Sequence, residues 1–151
     1  MVSASHRARM CHLAVTGDDF FAVDEIETRR SGPSFTVDTV AELKRQGEPE
    51  VPWLIGADMA LLLPWWHNPA KLVAETNLVL MARPGWTLDW STLPAEFRHL
   101  EKNLVPAPQL DISSTMIRSR LSSGKSARYL LPDAVIQYIA SNGLYSSKIQ
   151  Q

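Results

Sequence analysis

Two five-residue apolar runs, Pro52-Trp-Leu-Ile-Gly56 and Leu78-Val-Leu-Met-Ala82, constrain this chain more than any other feature. Each is too short for a buried helix, and each is closed by residues that stop regular structure: Gly56 in the first case, Arg83-Pro84-Gly85 after the second. A short, continuously apolar strand is buried on both faces, which is the pattern of a parallel sheet. Parallel strands need a crossover, and the intervening sequence supplies one. A helix over 59–63, capped by Asp58 and broken by Pro64, is followed by a second, Pro69–Glu75, that opens on a proline.

The flanking sequence extends the same pattern. Met10, Leu13 and Ala14 lie on one face of a helix over residues 4–15 that Gly17 ends, and Phe20–Ile26 alternates as a strand does. Val37, Val40 and Leu43 give a helix over Thr36–Arg45, stopped by Gly47. A short helix over Pro94–Glu101, a strand remnant at Leu104-Val105, a helix over Thr115–Leu121 and a last helix over Pro132–Ser141, closed by Asn142-Gly143, complete the chain. Strands alternating with helices predict an α/β fold with a mainly parallel sheet, and 151 residues suit a single domain over 1–151.

Charge and composition narrow the function. The net charge of −1 provides no basic field for nucleic acid, and no apolar run reaches the roughly 18 residues that span a membrane. The first ten residues hold His6, Arg7 and Arg9 but no apolar signal core, which points to the cytoplasm. Cys11, the single cysteine, excludes an internal disulfide and is expected as a buried small hydrophobe. His6, His12, His67 and His99 have no metal-ligand spacing and read as structural or exposed. The chain contains no G-x-S-x-G, Walker or G-x-G-x-x-G motif.

The chemistry gathers at strand ends and helix starts. In Ile112-Ser-Ser-Thr-Met-Ile-Arg118, Ser113 or Ser114 can cap a helix whose free N–H groups attract an anion. Arg118, four residues after Ser114, projects from the same face with a fork suited to phosphate oxygens. An ordinary capped helix would look the same. Asp58, just after Gly56, can accept from ribose hydroxyls or help hold a metal, or simply cap its helix. Arg83 can hold a phosphate or carboxylate, or stay solvated. Trp65 or Trp66, in an expected loop after Pro64, offers a ring to a flat heteroaromatic ligand, or a lid over the core. Residues 31–36 (Ser-Gly-Pro-Ser-Phe-Thr) have adaptable backbone donors suited to a carboxylate or amide, or form a plain connection. Ligands of such sheets bind beyond the carboxyl ends of the strands, so these stretches are expected to form one composite site.

Together, residues 30–39 (RSGPSFTVDT), 54–58 (LIGAD) leading to Pro64-Trp-Trp66, 82–85 (ARPG), 112–118 (ISSTMIR), and 129–133 (YLLPD) through 143–145 (GLY) resemble the bacterial nicotinate-nucleotide adenylyltransferases. The ISSTxIR element is shared across the nucleotidylyltransferase superfamily. The residue 31–39 segment and the tryptophan narrow the resemblance to its pyridine-nucleotide branch. It implies a Rossmann-like nucleotidylyltransferase fold, and transfer of AMP from ATP, with Mg²⁺, to nicotinate mononucleotide. By the same resemblance Ser113, Ser114, Thr115 and Arg118 meet the ATP phosphates, with Arg118 in the catalytic role, and Gly56 and Asp58 serve the adenosine side. Ser34, Phe35, Thr36 and Trp66 meet nicotinate mononucleotide, Trp65 is the lesser candidate for the stacking ring, and Arg83 is a weaker assignment to that substrate. The family's opening strands, glycine-rich turn and H-x-G-H motif have no counterpart in these 151 residues, so the fold is expected to be N-terminally incomplete. Two alternatives stand beside this reading: a non-catalytic protein that binds nucleotide or a partner, and a sister nucleotidylyltransferase with another acceptor.

Overall fold

The computed structural model describes residues 2–48, 50–82, 89–108 and 110–146. The chain divides into two compact units, Gly32–Asp111 and a second formed by Met1–Ser31 with Ile112–Gln151.

In the unit Gly32–Asp111, α2 (Thr36–Arg45; α1, Ala4–Val15, belongs to the other unit) places Val37, Thr39 and Val40 in the interior. Asp38 in its first turn and Lys44 and Arg45 in its last complement the helix dipole. The chain then enters β1 (Pro52–Gly56), which pairs in parallel with β2 (Asn77–Met81), Leu54 opposite Val79 and Gly56 opposite Met81. Strand β2 pairs in turn with β3 (Leu104–Val105), so the sheet order is β1-β2-β3, parallel throughout. Two side chains tie the strand starts: the Thr76 hydroxyl donates to the Val51 carbonyl, and Asn103 Nδ2 donates to the Leu78 carbonyl at 2.8 Å. The crossover from β1 to β2 runs through α3 (Ala57–Ala60), a 3₁₀ turn over Leu63–Trp65 and α4 (Pro69–Glu75). Helix α4 packs on α2, and Val37, Val40, Leu63, Leu72, Leu78, Leu80, Phe97 and Leu100 interlock as the core. Each fully buried Leu contributes about 2 kcal/mol of hydrophobic transfer.

Three sequence expectations change here. Helix α3 starts at Ala57 directly from the strand, with Gly56 at its N-cap, so Asp58 sits in the first turn and is not the N-cap residue. Pro64 does not end the structure at a loop but lies in the 3₁₀ turn with Trp65, a first-turn position where its missing N–H costs no bond. The helix expected over Pro94–Glu101 is 3₁₀ and runs Ala95–Asn103. Its buried residues, Phe97 and Leu100, are three apart, a spacing that α and 3₁₀ helices both satisfy.

In the other unit, α1 (Ala4–Val15) is capped by Ser3, whose hydroxyl accepts from the His6 N–H at 3.3 Å, and Gly17 turns the chain with φ +86°. It packs on α6 (Asp133–Ser141), where Val135 and Ile139, four apart, are buried. His6 Nδ1 lies 2.7 Å from the Tyr138 hydroxyl and its ring meets the Tyr138 ring edge-on. Helix α5 spans Ser114–Ser122. No residue of α1 is fully buried, and Cys11 is exposed, contrary to the expectation from sequence. The apolar stripe of α1 is too narrow to enclose it, and its thiol lines an open groove instead.

The strand expected over Phe20–Ile26 is also absent. Asp18 Oδ1 accepts from the Phe20 N–H at 3.0 Å and Asp24 Oδ1 from the Ile26 N–H at 2.8 Å, so aspartate side chains hold the segment in local turns. Phe20 is 96% exposed, and among the described residues nothing pairs with this segment as a strand. None of the described helices is long and apolar enough to cross a membrane.

Candidate functional site

An aromatic-walled cavity forms in the unit Gly32–Asp111, where two segments distant in sequence meet. Ser34, Phe35 and Thr36 line one side of a cavity of about 260 Å³, and Trp65, Trp66 and His67 line the other. The Phe35 carbonyl accepts from the Asp38 N–H at 3.0 Å and the Thr39 N–H at 3.2 Å, with the Thr39 hydroxyl 3.4 Å away. These bonds fix Phe35 at the entrance to α2, and its ring stacks on His67 at 4.2 Å and 24°. Across the cavity, Trp66 is half-buried and packs against the core, whereas Trp65 is 78% exposed. Asn68 adopts a left-handed conformation (φ 49°), which asparagine tolerates, and aims the chain into α4. Trp66 is therefore the wall backed by the core, and Trp65 the one open to solvent.

Gly56 and Asp58, in the same unit, lie where β1 passes into α3, at the carboxyl end of the sheet. Asp58 is half-buried. Arg83 falls outside the described residues.

The other unit carries an anion-type half-site. The Ser113 hydroxyl accepts from the Met116 N–H at 3.1 Å and caps α5, which decides between the two serines. Arg118 Nη2 donates to Thr115 Oγ1 at 3.2 Å, which draws the guanidinium toward the helix start. Ser113, Ser114, Thr115 and Arg118 are all exposed. Arg118 also lines an open cavity with His6, Arg7 and Tyr145, so two guanidinium groups border the same space.

Among the described residues, two carboxyl groups that are part of neither set have lowered pKa values. The hydrogen bond from His12 holds Glu25 below the ordinary carboxylate value, and the Ser91 hydroxyl does the same for Asp89. Among the described residues no group of three His, Cys, Asp or Glu is arranged to hold a metal ion. Sequence reasoning missed His67 and Arg7. His67 had one signal, its place next to Trp66; Arg7 had none beyond its charge.

Residues 1–120 match the family described as cytidylyltransferase-like. A nicotinate-nucleotide adenylyltransferase of Herpetosiphon aurantiacus is 41% identical over 147 residues, covering 95% of this chain and 74% of that protein. One from Moorella thermoacetica is 39% identical over 156 residues, covering 99% of this chain and 71% of the relative. Among solved structures, the nicotinic acid mononucleotide adenylyltransferase of Plasmodium falciparum complexed with NaAD superposes with a TM-score of 0.74 at 20% identity, covering 96% of this chain and 75% of that one. At that identity the likeness bears on the fold.

Proposed function

The chain belongs to the nicotinate-nucleotide adenylyltransferase family, and from that premise we propose that it transfers the AMP part of ATP to nicotinate mononucleotide, giving deamido-NAD and pyrophosphate. The observation that carries the proposal is the cavity between Ser34–Thr36 and Trp65–His67. Its flat aromatic walls and neighbouring backbone N–H groups suit a pyridine ring that bears a carboxylate.

No protein nucleophile is required. A 5′-phosphate oxygen of the mononucleotide attacks the α-phosphorus of ATP in line. The bond from that phosphorus to the oxygen bridging to the β-phosphate breaks, and pyrophosphate leaves with the electron pair. Catalysis comes from alignment and from donors facing oxygens that gain charge. The free N–H groups at the start of α5, the Ser114 and Thr115 hydroxyls and the Arg118 guanidinium take the phosphates. Ser113 holds that helix start in shape. Gly56 and Asp58 take the adenosine side, and Ser34, Phe35, Thr36 and Trp66 take the nicotinate side. Arg83 is assigned to that substrate by resemblance alone. ATP enters as its magnesium complex, with the ion carried on its phosphates, and the reaction takes place in the cytoplasm.

The test is to supply ATP and nicotinate mononucleotide together and follow both products. Equal amounts of pyrophosphate and deamido-NAD, dependent on both substrates, are expected. Transfer to a different acceptor, with none to nicotinate mononucleotide, would overturn the assignment.

A further inference from the structure

We infer that the groove between α1, α5 and α6 binds a medium- to long-chain carboxylate, its tail along the groove and its head on Arg7 and Arg118. The groove has a volume of about 370 Å³, lies wholly in the unit formed by Met1–Ser31 with Ile112–Gln151, and shares no residue with the cavity at Ser34–Thr36. Its apolar walls have no part in the nucleotide reaction proposed above. Each helix supplies a pair of them four residues apart, a spacing that one helix face presents together. Met10 and Ala14 come from α1, Ile117 and Leu121 from α5, and Val135 and Ile139 from α6. The cations come earlier on two of these helices: Arg7 lies about 10 Å along α1 from Ala14, and Arg118 one turn before the end of α5.

Charge selects the occupant. Among the described residues no carboxylate lines the groove, and its two charged side chains are both guanidinium groups. Arg7, Arg118 and Tyr145 also line the open cavity beside His6, so the cations stand where the apolar groove gives way to a polar space. Arg7 Nη1 donates to the Val2 carbonyl at 2.8 Å, which steadies the side chain, and a guanidinium has five N–H donors in all. A carboxylate takes two parallel bonds from such a fork. The six apolar walls give a base or a sugar nothing to hydrogen-bond, whereas an alkyl tail gains by leaving water. The volume is at the low end of the ~300–1,000 Å³ of small-molecule sites, room for a flexible chain and too little for a docked helix about 10 Å across.

Cys11 supplies the readout, because it is the single cysteine of the chain and its exposed thiol lines the groove. The experiment measures the rate at which N-ethylmaleimide labels the full chain in the presence of hexanoate, octanoate, decanoate or uncharged 1-decanol. Decanoate at about ten times its Kd should slow labelling about tenfold and raise the thermal midpoint, as a ligand of the folded state does. Affinity should rise about threefold per added methylene from hexanoate to decanoate, and 1-decanol should bind about tenfold more weakly than decanoate. Arg7→Ala should weaken decanoate about five- to tenfold; Arg7 is exposed, so this variant should fold, and its thermal midpoint checks that. Leu121→Gln, in the wall, should weaken decanoate and 1-decanol alike. Labelling that decanoate leaves unchanged overturns the site. Equal binding of 1-decanol and decanoate, or full affinity in Arg7→Ala, overturns the assignment of the head. Slow labelling without ligand that quickens on dilution would mean that a second copy of the chain covers the groove, and would overturn the inference as well.

Discussion

The two units of this chain handle burial in opposite ways. In Gly32–Asp111, Leu63, Leu72, Leu78, Leu80 and Leu100 are sealed from solvent around a parallel sheet. In the other unit the buried apolar side chains among the described residues are Ile26, Ala127, Val135 and Ile139, and neither α1 nor α5 buries a residue fully. The difference matches the chemistry proposed for each. A pyridine ring is recognised by shape, which needs walls that a packed core holds still, as it holds Trp66. A triphosphate is recognised by donors and charge, which the exposed helix start at Ser113–Arg118 offers without a core.

The largest effect that would sharpen this contrast is expected from Arg118→Ala. Steady-state assays should show turnover falling about 10²- to 10³-fold, the usual cost of removing one donor to a charge-gaining oxygen. Calorimetry should show little change in stability, because the side chain is exposed and, among the described residues, its hydrogen bond is to Thr115 on its own helix. A large loss of stability would make Arg118 structural and break the contrast. Leu80→Ala should do the reverse. Denaturant titration is expected to show a loss of about 3 kcal/mol, since Leu80 is fully enclosed in the core.

A smaller effect separates the two roles at the start of α5. Ser113→Ala removes the cap on the Met116 N–H and should cost about 1 kcal/mol of stability, while ATP binding also weakens. If stability fell with ATP affinity unchanged, Ser113 would be a cap and no part of the phosphate site. The smallest effect concerns Glu25. Its pKa is lowered in the folded state, so its pairing with His12 stabilises the protein above the ordinary carboxylate value of 4.5 and stops doing so as pH falls through the depressed value. Thermal midpoints of the wild type and Glu25→Gln should therefore differ slightly above the ordinary carboxylate value and converge as pH falls through the depressed one.

The limits of sequence reading follow the same division. Helix α2 (Thr36–Arg45), β1 (Pro52–Gly56) and α4 (Pro69–Glu75) were legible to the residue, because glycines, prolines and apolar spacing define their ends locally. Cys11 and Phe20–Ile26 were misread because their fate depends on tertiary partners. An alternating pattern becomes a strand only beside another strand, and without one the Asp18 and Asp24 side chains decide the backbone. Asp58 has the chemistry of a cap but follows a strand that turns into helix with no residue between, so Gly56 takes that position. At the candidate site the segments were visible as motifs. The Phe35–His67 stack was not, since no local rule brings residues 32 positions apart into register.

The most direct test of the division between ring and phosphate recognition is amide hydrogen exchange measured with each substrate alone. Nicotinate mononucleotide is predicted to protect Phe35, Thr36, Trp66 and His67, and ATP to protect Ser114, Thr115 and Met116. Protection of the α5 start by the mononucleotide, with residues 34–36 and 65–67 left unchanged, would contradict the account.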